Sequence, residues 1–128
     1  LIHFLFPRLP HGHPAEEAIT TNIIANILGL GWAATPAGLK AMEELSNLEQ
    51  ERRDSRLPAQ KQGVASNEMC TFLILNISSL QLIPVNVIAY RSQYGSVNPA
   101  AIVGAAIIAT TISTLAGILY CKCRDHHF

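Results

Sequence analysis

Residues 22–36 read NIIANILGLGWAATP, an apolar stretch that carries two amides and two closely spaced glycines. Asn22 and Asn26 are four positions apart, so on a helix they share one face. Gly29 and Gly31 allow the positive-φ backbone at which helices commonly end. The stretch therefore predicts an apolar helix with an amide face that stops at the glycines.

A second helix is expected to begin a few residues after this stop. Thr35 is a good N-cap, and Pro36 suits the first helical position because its missing N–H has no helical partner there. We therefore expect the backbone from Gly29 to Thr35 to be non-helical. In a membrane, such backbone persists only where it is buried in protein or lines a wet cavity, and broken helices commonly mark the substrate or ion site of a transporter. A plain corner between two packed helices is the alternative for this segment.

Two runs without charged residues, 69–90 and 100–121, are each 22 residues long. About 20 apolar residues cross the hydrocarbon core of a bilayer. The second run is predominantly apolar and predicts a membrane helix. The first run is more polar and contains Pro84, so it predicts a membrane helix with a proline break. A buried helix of a soluble protein is the alternative for the first run, although the chain offers little else to bury it, and we expect a membrane protein.

Basic residues are concentrated on one side of these runs. The segment 40–68 holds five of them, whereas the loop 91–98 holds only Arg91, and the tail adds Lys122 and Arg124. Positive residues favour the cytoplasmic side of a membrane. We therefore expect segment 40–68 and the C-terminus to be cytoplasmic, in a bacterial inner membrane, with the loop 91–98 outside.

The segments on either side of the first break have distinct patterns. Residues 16–33 carry hydroxyls and amides that are costly against lipid, so this interrupted helix is expected to be re-entrant or enclosed by other helices. Residues 36–51 have an apolar position at every third residue, which predicts an amphipathic helix. Residues 52–65 predict a polar linker. Acids match bases across the charged region, which therefore does not indicate binding of nucleic acid.

Signals of catalysis or metal binding are weak. His11 and His13 lie two residues apart, but two imidazoles without a third ligand make a poor metal site. The sequence has no Ser-His-Asp spacing, phosphate-binding glycine loop or paired carboxylates on a helix face. We therefore expect no enzyme activity, metal or cofactor. The chain opens at Leu1 in what looks like the end of an earlier helix, which predicts a fragment of a larger membrane protein.

Longer motifs follow one another along nearly the whole chain. They are His13-Pro14-Ala15, Asn22, Ala25-Asn26, Leu28-Gly29-Leu30-Gly31, Ala33-Ala34-Thr35-Pro36, Gly38-Leu39-Lys40-Ala41-Met42, Asn67, Met69-Cys70-Thr71-Phe72-Leu73, Leu75-Asn76, Ser78-Ser79-Leu80-Gln81-Leu82-Ile83-Pro84, Val87-Ile88-Ala89, Gly95-Ser96, Asn98-Pro99 and Ala109-Thr110. In this order they resemble the spore maturation protein A family, within the nucleoside-recognition or Gate group.

Together with the helical patterns, this resemblance implies an all-α integral membrane bundle with a Gate-like fold, in one domain over residues 1–128. The fold would be similar to the gate regions of nucleoside transporters and of ferrous iron transporter B. The resemblance also implies an association with dehydration of the spore core and a partner similar to spore maturation protein B. Trp32 departs from the family motif, which has asparagine there. Either a polar site is altered in this chain or position 32 faces outward.

The predicted function is transport or gating of a small polar solute or ion by a membrane complex. The interruption at residues 29–35 is expected to contact the one at residues 76–84. The helix end at Gly29 would favour a cation, and the helix start at Pro36 would favour an anion. We also expect Gly31→Ala to damage function more than Gly117→Ala. The expected solute-binding residues are Asn22, Asn26, Gly29, Gly31, Thr35, Asn76, Ser78 and Ser79, with backbone groups of residues 29–34 and of Leu80.

The alternative function comes from a different class of protein. The chain would be a non-transporting membrane scaffold that assembles with a protein B-like partner. In that case the amides and hydroxyls of the apolar segments would only join helices to one another, as such groups commonly do in membrane bundles.

Overall fold

The computed structural model describes residues 1–78 and 81–127, and these residues form helices joined by loops, with no strand among them. The helices are α1 (Ile2–Leu5), α2 (Pro14–Ile27), α3 (Gly31–Asp54), α4 (Asn67–Ile77), α5 (Val85–Gln93) and α6 (Ile102–His127), with a 3-10 turn at Pro99–Ala101 before α6. The predicted all-helical class is therefore confirmed over the described residues.

α2 and α3 form an antiparallel hairpin around the predicted break. α2 begins at Pro14, and the His13 Nδ1 caps it by accepting from the Ala15 amide at 3.1 Å. The helix ends at Ile27, after which Gly29 takes a φ of +71°, a conformation that favours glycine. The interruption predicted at the glycines is confirmed, and it is three residues long.

The predicted start of the second helix at Thr35 and Pro36 is wrong, because α3 already begins at Gly31. Two backbone amides of its first turn donate to the Leu30 carbonyl at 3.0 and 2.9 Å, which closes the turn before the proline is reached. Pro36 therefore lies inside the helix, where it removes one hydrogen bond near the start of α3. The Thr35 hydroxyl donates to the carbonyl four residues earlier at 3.1 Å and does not cap a helix.

The apolar run 69–90 forms two helices instead of one. α4 is capped by Ser66, whose Oγ accepts from the Met69 amide at 3.2 Å. Pro84 is the N-cap residue of α5, because a residue without an N–H cannot continue a helical hydrogen-bond ladder. The proline break is present, but it is wider than a kink and leaves neither helix long enough to cross a bilayer alone.

The core lies where α1, α2, α3 and α4 meet. Its largest buried apolar side chains, one from or beside each of these helices, are Phe6, Ile19, Leu45 and Phe72. Small residues on the facing sides of α2 and α3 let the two helices approach closely. A Cβ added at Gly38 would lie 3.0 Å from the Asn22 Nδ2, so the glycine leaves room for this amide.

α6 packs antiparallel on α4 and is otherwise exposed. Gly117 permits the approach, since a Cβ there would lie 2.9 Å from the Ser78 Oγ. The outward face of α6 carries Ile108, Ile112, Leu115 and Leu119. Within the described residues, one helix, Pro99–His126, is long and apolar enough to cross a membrane by length and composition. This helix contains the predicted membrane run 100–121.

Charged side chains gather at the end of the hairpin opposite the break. The Arg52 Nη1 donates to the Glu49 Oε1 at 2.8 Å and to the Glu68 Oε1 at 3.1 Å, and its Nη2 donates to the Arg8 carbonyl at 2.7 Å. Burial works to lower the pKa of Arg52, but the two carboxylates outweigh it and hold that pKa above its ordinary value. This polar cluster of Arg52, Glu49 and Glu68 ties the later half of α3 to the start of α4.

Candidate functional site

The break between α2 and α3 lies against the connection between α4 and α5. The Leu82 amide donates to the Ile27 carbonyl at 2.9 Å. A Cβ placed on Gly29 would overlap the Ile83 carbonyl oxygen, so this close approach of two backbones requires glycine. The expectation that the two interruptions contact each other is confirmed.

The carbonyls at the end of α2 have partners within the protein. Those of residues 24–26 accept from the amides of residues 28–30 at 2.8–3.0 Å, and the next carbonyl accepts from Leu82. A helix end leaves these four groups open unless something else pairs with them. The cation expected at the Gly29 end therefore has no free helix-terminal carbonyl to bind. The anion expected at Pro36 has no helix start there.

Three asparagines form a hydrogen-bonded chain beside the break. The Asn26 Nδ2 donates to the Asn22 Oδ1 at 3.3 Å and to the Asn76 Oδ1 at 3.0 Å, which joins α2 to α4. The Asn76 Nδ2 donates to the Phe72 carbonyl at 2.9 Å. Such bonds are stronger in apolar surroundings than in water, and an unpaired amide there is costly. The structure thus brings together the three asparagines that the sequence singled out.

Asn22 positions the other two amides. Its Nδ2 donates to the Ala34 carbonyl of α3 at 2.8 Å, and its side chain is buried. Because its nitrogen holds α3 and its oxygen accepts from Asn26, both ends of the amide are used. Asn22 therefore fixes the hairpin and the orientation of Asn26.

A cavity of about 240 Å³, here called the amide cavity, opens beside this chain between α2, α4 and α6. Its walls are mostly apolar, and its polar groups come from the three asparagines and from two threonines of α6. The lining residues are Leu1, Leu5, Asn22, Ile23, Asn26, Ile27, Leu75, Asn76, Thr111, Thr114, Leu115 and Ile118.

A second, smaller cavity of about 60 Å³, here called the break cavity, lies at the break itself. It is enclosed by the break and by the start of α5. Its lining residues are Asn26, Gly29, Gly31, Gln81, Pro84, Val85, Asn86 and Val87. Among the described residues, Asn26 alone lines both cavities.

A larger cavity of about 540 Å³ lies at the charged end, away from the break. The linker folds over the polar cluster there, and the Gln60 amide donates to the Glu49 Oε2 at 3.0 Å. The buried charges of this cavity bond to one another. We therefore assign it to the packing of the linker, and the candidate site remains at the break.

Comparison with known proteins gives a relative for most of the chain. Over 115 residues it is 45% identical to spore maturation protein A of Bacillus subtilis (strain 168), a match that covers 90% of this chain and 54% of that protein. The matched region belongs to the spore maturation protein A family. No family model and no solved structure matches the chain. The chain thus spans about half the length of this relative, and the similarity supports an association with spore maturation.

Trp32, the departure from the family motif, faces outward. Its side chain is 81% exposed, and it lines neither cavity. Of the two explanations for the missing asparagine, the outward-facing position is therefore correct, and the amide chain is left intact.

The other predicted site residues are less central. Thr35 is exposed and lines neither cavity, whereas Gly31 lines the break cavity with open space around it. The Ser78 Oγ donates within its own helix at 2.9 Å, which directs it away from a solute. Ser79 and Leu80 lie outside the described residues. Solute binding by all of these residues stays a prediction.

α6 contributes polar groups that the sequence reasoning left out. The Thr114 Oγ1 donates to the Ser78 carbonyl at 2.7 Å, and the Gln81 amide donates to the Thr110 Oγ1 at 3.3 Å. Thr111 lines the amide cavity together with Thr114. The signal was available, because Thr110 and Thr111 lie four and three positions before Thr114 in an apolar helix, so each of them lies on the same side of the helix as Thr114.

The histidines before α2 have separate roles. His13 caps the helix, and the His11 ring lies 3.8 Å from the ring of His3, measured between centroids. Over residues 1–78 and 81–127, no three His, Cys, Asp or Glu side chains are grouped closely enough to hold a metal ion.

Proposed function

We propose that the chain is part of a membrane transport or gating complex for a small polar solute, associated with spore maturation. One observation carries the proposal: a helix break, a second interruption and a chain of three amides meet between two cavities. Interrupted backbone in a membrane is expected where it lines a cavity, and in transporters it forms the substrate site. The relative's name supports the association with spore maturation.

The depth of the break supports this proposal. The apolar run 100–121 of α6 is about 33 Å long at 1.5 Å per residue, which matches the hydrocarbon core of a bilayer. Thr110 lies at the middle of this run and accepts from the Gln81 amide beside the break. With α6 crossing the bilayer, the break and its cavities would therefore lie near the midplane, where transporters bind their substrates.

The lengths of the other helices fit the same arrangement. The apolar arms of the hairpin, residues 18–27 and 31–40, would each reach about 15 Å, half of the hydrocarbon thickness. α4 and α5 together provide about 30 Å of helix on either side of their interruption. We infer a re-entrant hairpin that meets a discontinuous crossing at mid-depth.

The proposed location is the bacterial inner membrane, with the segment 40–68 and the C-terminus cytoplasmic. Their placement at one end of the molecule supports a shared side, since the Lys122 Nζ donates to the Phe4 carbonyl close to the polar cluster. The excess of basic residues there favours the cytoplasm. The loop 91–98 would lie outside.

The scaffold is the second candidate, and the exposure of α5 favours it. None of the residues of α5 is buried, and the outer face of α6 is apolar and exposed. Lipid or a protein B-like membrane partner would cover these surfaces. A scaffold needs this surface and has no need of the amide chain.

Proteoliposomes that contain the purified full chain separate the two candidates. Transport predicts uptake of a small solute such as glycerol above that of empty liposomes, and it predicts that Asn26→Leu abolishes the uptake, because a leucine occupies the same space and offers the solute no hydrogen bond. Thr21→Ala, at an exposed position off both cavities, is the matched control and should leave uptake unchanged. Uptake equal to that of empty liposomes, by a chain that still binds a protein B-like partner, would favour the scaffold.

A further inference from the structure

Asn26 occupies a position that no other described residue shares, because it lines both the amide cavity and the break cavity. Its Nδ2 is held on one side by the Asn22 Oδ1 and on the other by the Asn76 Oδ1. Asn26 therefore lies where the two spaces meet. Both cavities exceed the roughly 15 Å³ that one water molecule requires.

Neither cavity is suited to an ion. No Asp, Glu, Lys, Arg or His side chain from the described part of the chain lines either of them. The carbonyls at the end of α2 each accept a hydrogen bond already, which leaves them less able to replace the water around a cation. Placing an unpaired charge in such surroundings is strongly unfavourable. The lining therefore selects an uncharged molecule.

Two polar groups remain open in the amide cavity. No hydrogen-bond donor among residues 1–78 and 81–127 approaches the Asn26 Oδ1, and the Thr111 hydroxyl has no partner within the same residues. The first group can accept a hydrogen bond, and the second can donate or accept one. Apolar side chains form the rest of the wall. A molecule with a hydroxyl or N–H group and a small apolar part would match this pattern.

We propose that the two cavities form one path for a small uncharged solute that donates hydrogen bonds, and that Asn26 is the barrier that closes it. This inference rests on the proposed transport function and adds the class of solute and the closing residue. Opening requires the Asn26 side chain to leave Asn22 and Asn76 and to exchange its bonds with them for bonds to the solute. No backbone movement at the break is needed for this step.

The test measures glycerol uptake by proteoliposomes that contain the full chain, with potassium and chloride fluxes measured on the same vesicles. Asn26→Ala removes the barrier and should raise glycerol uptake several-fold above the wild-type chain, whereas Asn26→Leu should abolish it. Asn47→Ala is the matched control, because Asn47 is an exposed asparagine of α3 that lines neither cavity, and it should leave uptake unchanged. Neither ion should pass through any of these proteins.

The outcomes separate the inference from the proposed function. Glycerol uptake by Asn26→Ala at or below the wild-type rate would overturn the barrier, and ion flux as fast as glycerol uptake in the wild type would overturn the uncharged class. In both cases a transporting wild type would leave the proposed function standing. If no variant passed any solute, the transport function would fail as well. If Asn26→Ala misfolds and makes the vesicles leaky, ions pass as well as glycerol, and this identifies the leak. Asn26→Ser offers a second small side chain for the same measurement of glycerol uptake.

Discussion

Three asparagines in the break region share one residue type and have three different roles. Asn22 is buried, with its amide nitrogen and oxygen both bonded. Asn26 bonds on two sides and lines two cavities, and Asn76 anchors the chain of amides to the backbone of α4. The i, i+4 spacing predicted a shared face for the first two. Their separate roles depend on α3 and α4, which the local sequence does not locate.

Of Gly29, Gly31 and Gly117, we expect Gly29 to cause the largest loss of stability when it is replaced by alanine. Its φ of +71° disfavours any residue with a Cβ by roughly 1–2 kcal/mol, and overlap with the Ile83 carbonyl adds to this. Gly31→Ala should leave stability unchanged or raise it by up to about 1 kcal/mol, because the site is helical and open. Thermal unfolding in detergent measures both variants.

Gly117→Ala provides the comparison for these two variants. Its added methyl would press on the Ser78 side chain at 2.9 Å, so we expect a loss of stability between those of the other two. The sequence alone predicts that Gly31→Ala damages function more than Gly117→Ala, and this stays a prediction. For stability, the contacts of the two glycines predict the opposite order. Equal melting temperatures for the alanine variants of Gly29 and Gly31 would contradict the structural explanation.

At the scale of the helices, the elements could be predicted better than their ends. The Gly-Leu-Gly sequence located the break, because glycine is the residue that a positive φ requires. The start of α3 could not be predicted from the sequence. The Leu30 backbone carbonyl accepts the first hydrogen bonds of the helix, and every residue has such a carbonyl, so the sequence does not distinguish this position. The width of the second interruption depends on contacts with Ile27 and Thr110, which are distant in sequence.

The junction between α3 and α4 should depend strongly on Arg52. Arg52→Ala leaves the carboxylates of Glu49 and Glu68 buried without their shared cation, and we expect it to destabilise the protein by about 3 kcal/mol or more. Lys61→Ala, an exposed cation in the linker, is the control and should change stability by less than about 0.5 kcal/mol. Chemical denaturation in detergent gives both values, and similar midpoints for the two variants would show that the polar cluster is not a stabilising contact.

At the scale of the whole molecule, composition and the apolar runs predicted the class of the fold. They identified the helical character of the chain and the apolar helix 100–121, and the comparison supports the family. They left open whether residues 16–33 turn back or cross. The structure describes a hairpin whose two arms both lead to the charged end, and it depends on pairing such as that between Asn22 and Ala34, which are distant in sequence.

The proposed topology places the linker and the loop after α5 on opposite sides of the membrane. Single cysteines at Gln60 and Ser92, in a background without native cysteines, should react with a membrane-impermeant reagent from opposite faces. Both positions are exposed, so lack of reaction from one face would reflect the membrane and not burial. Reaction of both positions from the same face would contradict the topology.

The hairpin of α2 and α3 has a consequence for how the cell would make this protein. Because both arms return to the charged end, the hairpin would enter the bilayer without carrying a hydrophilic loop through it. In the proposed topology the insertion machinery would translocate only the eight residues 91–98, with one basic side chain, Arg91. Short loops with few positive charges are the ones most readily exported. Added lysines in that loop should therefore slow insertion, whereas the same lysines in the linker should have no effect on it.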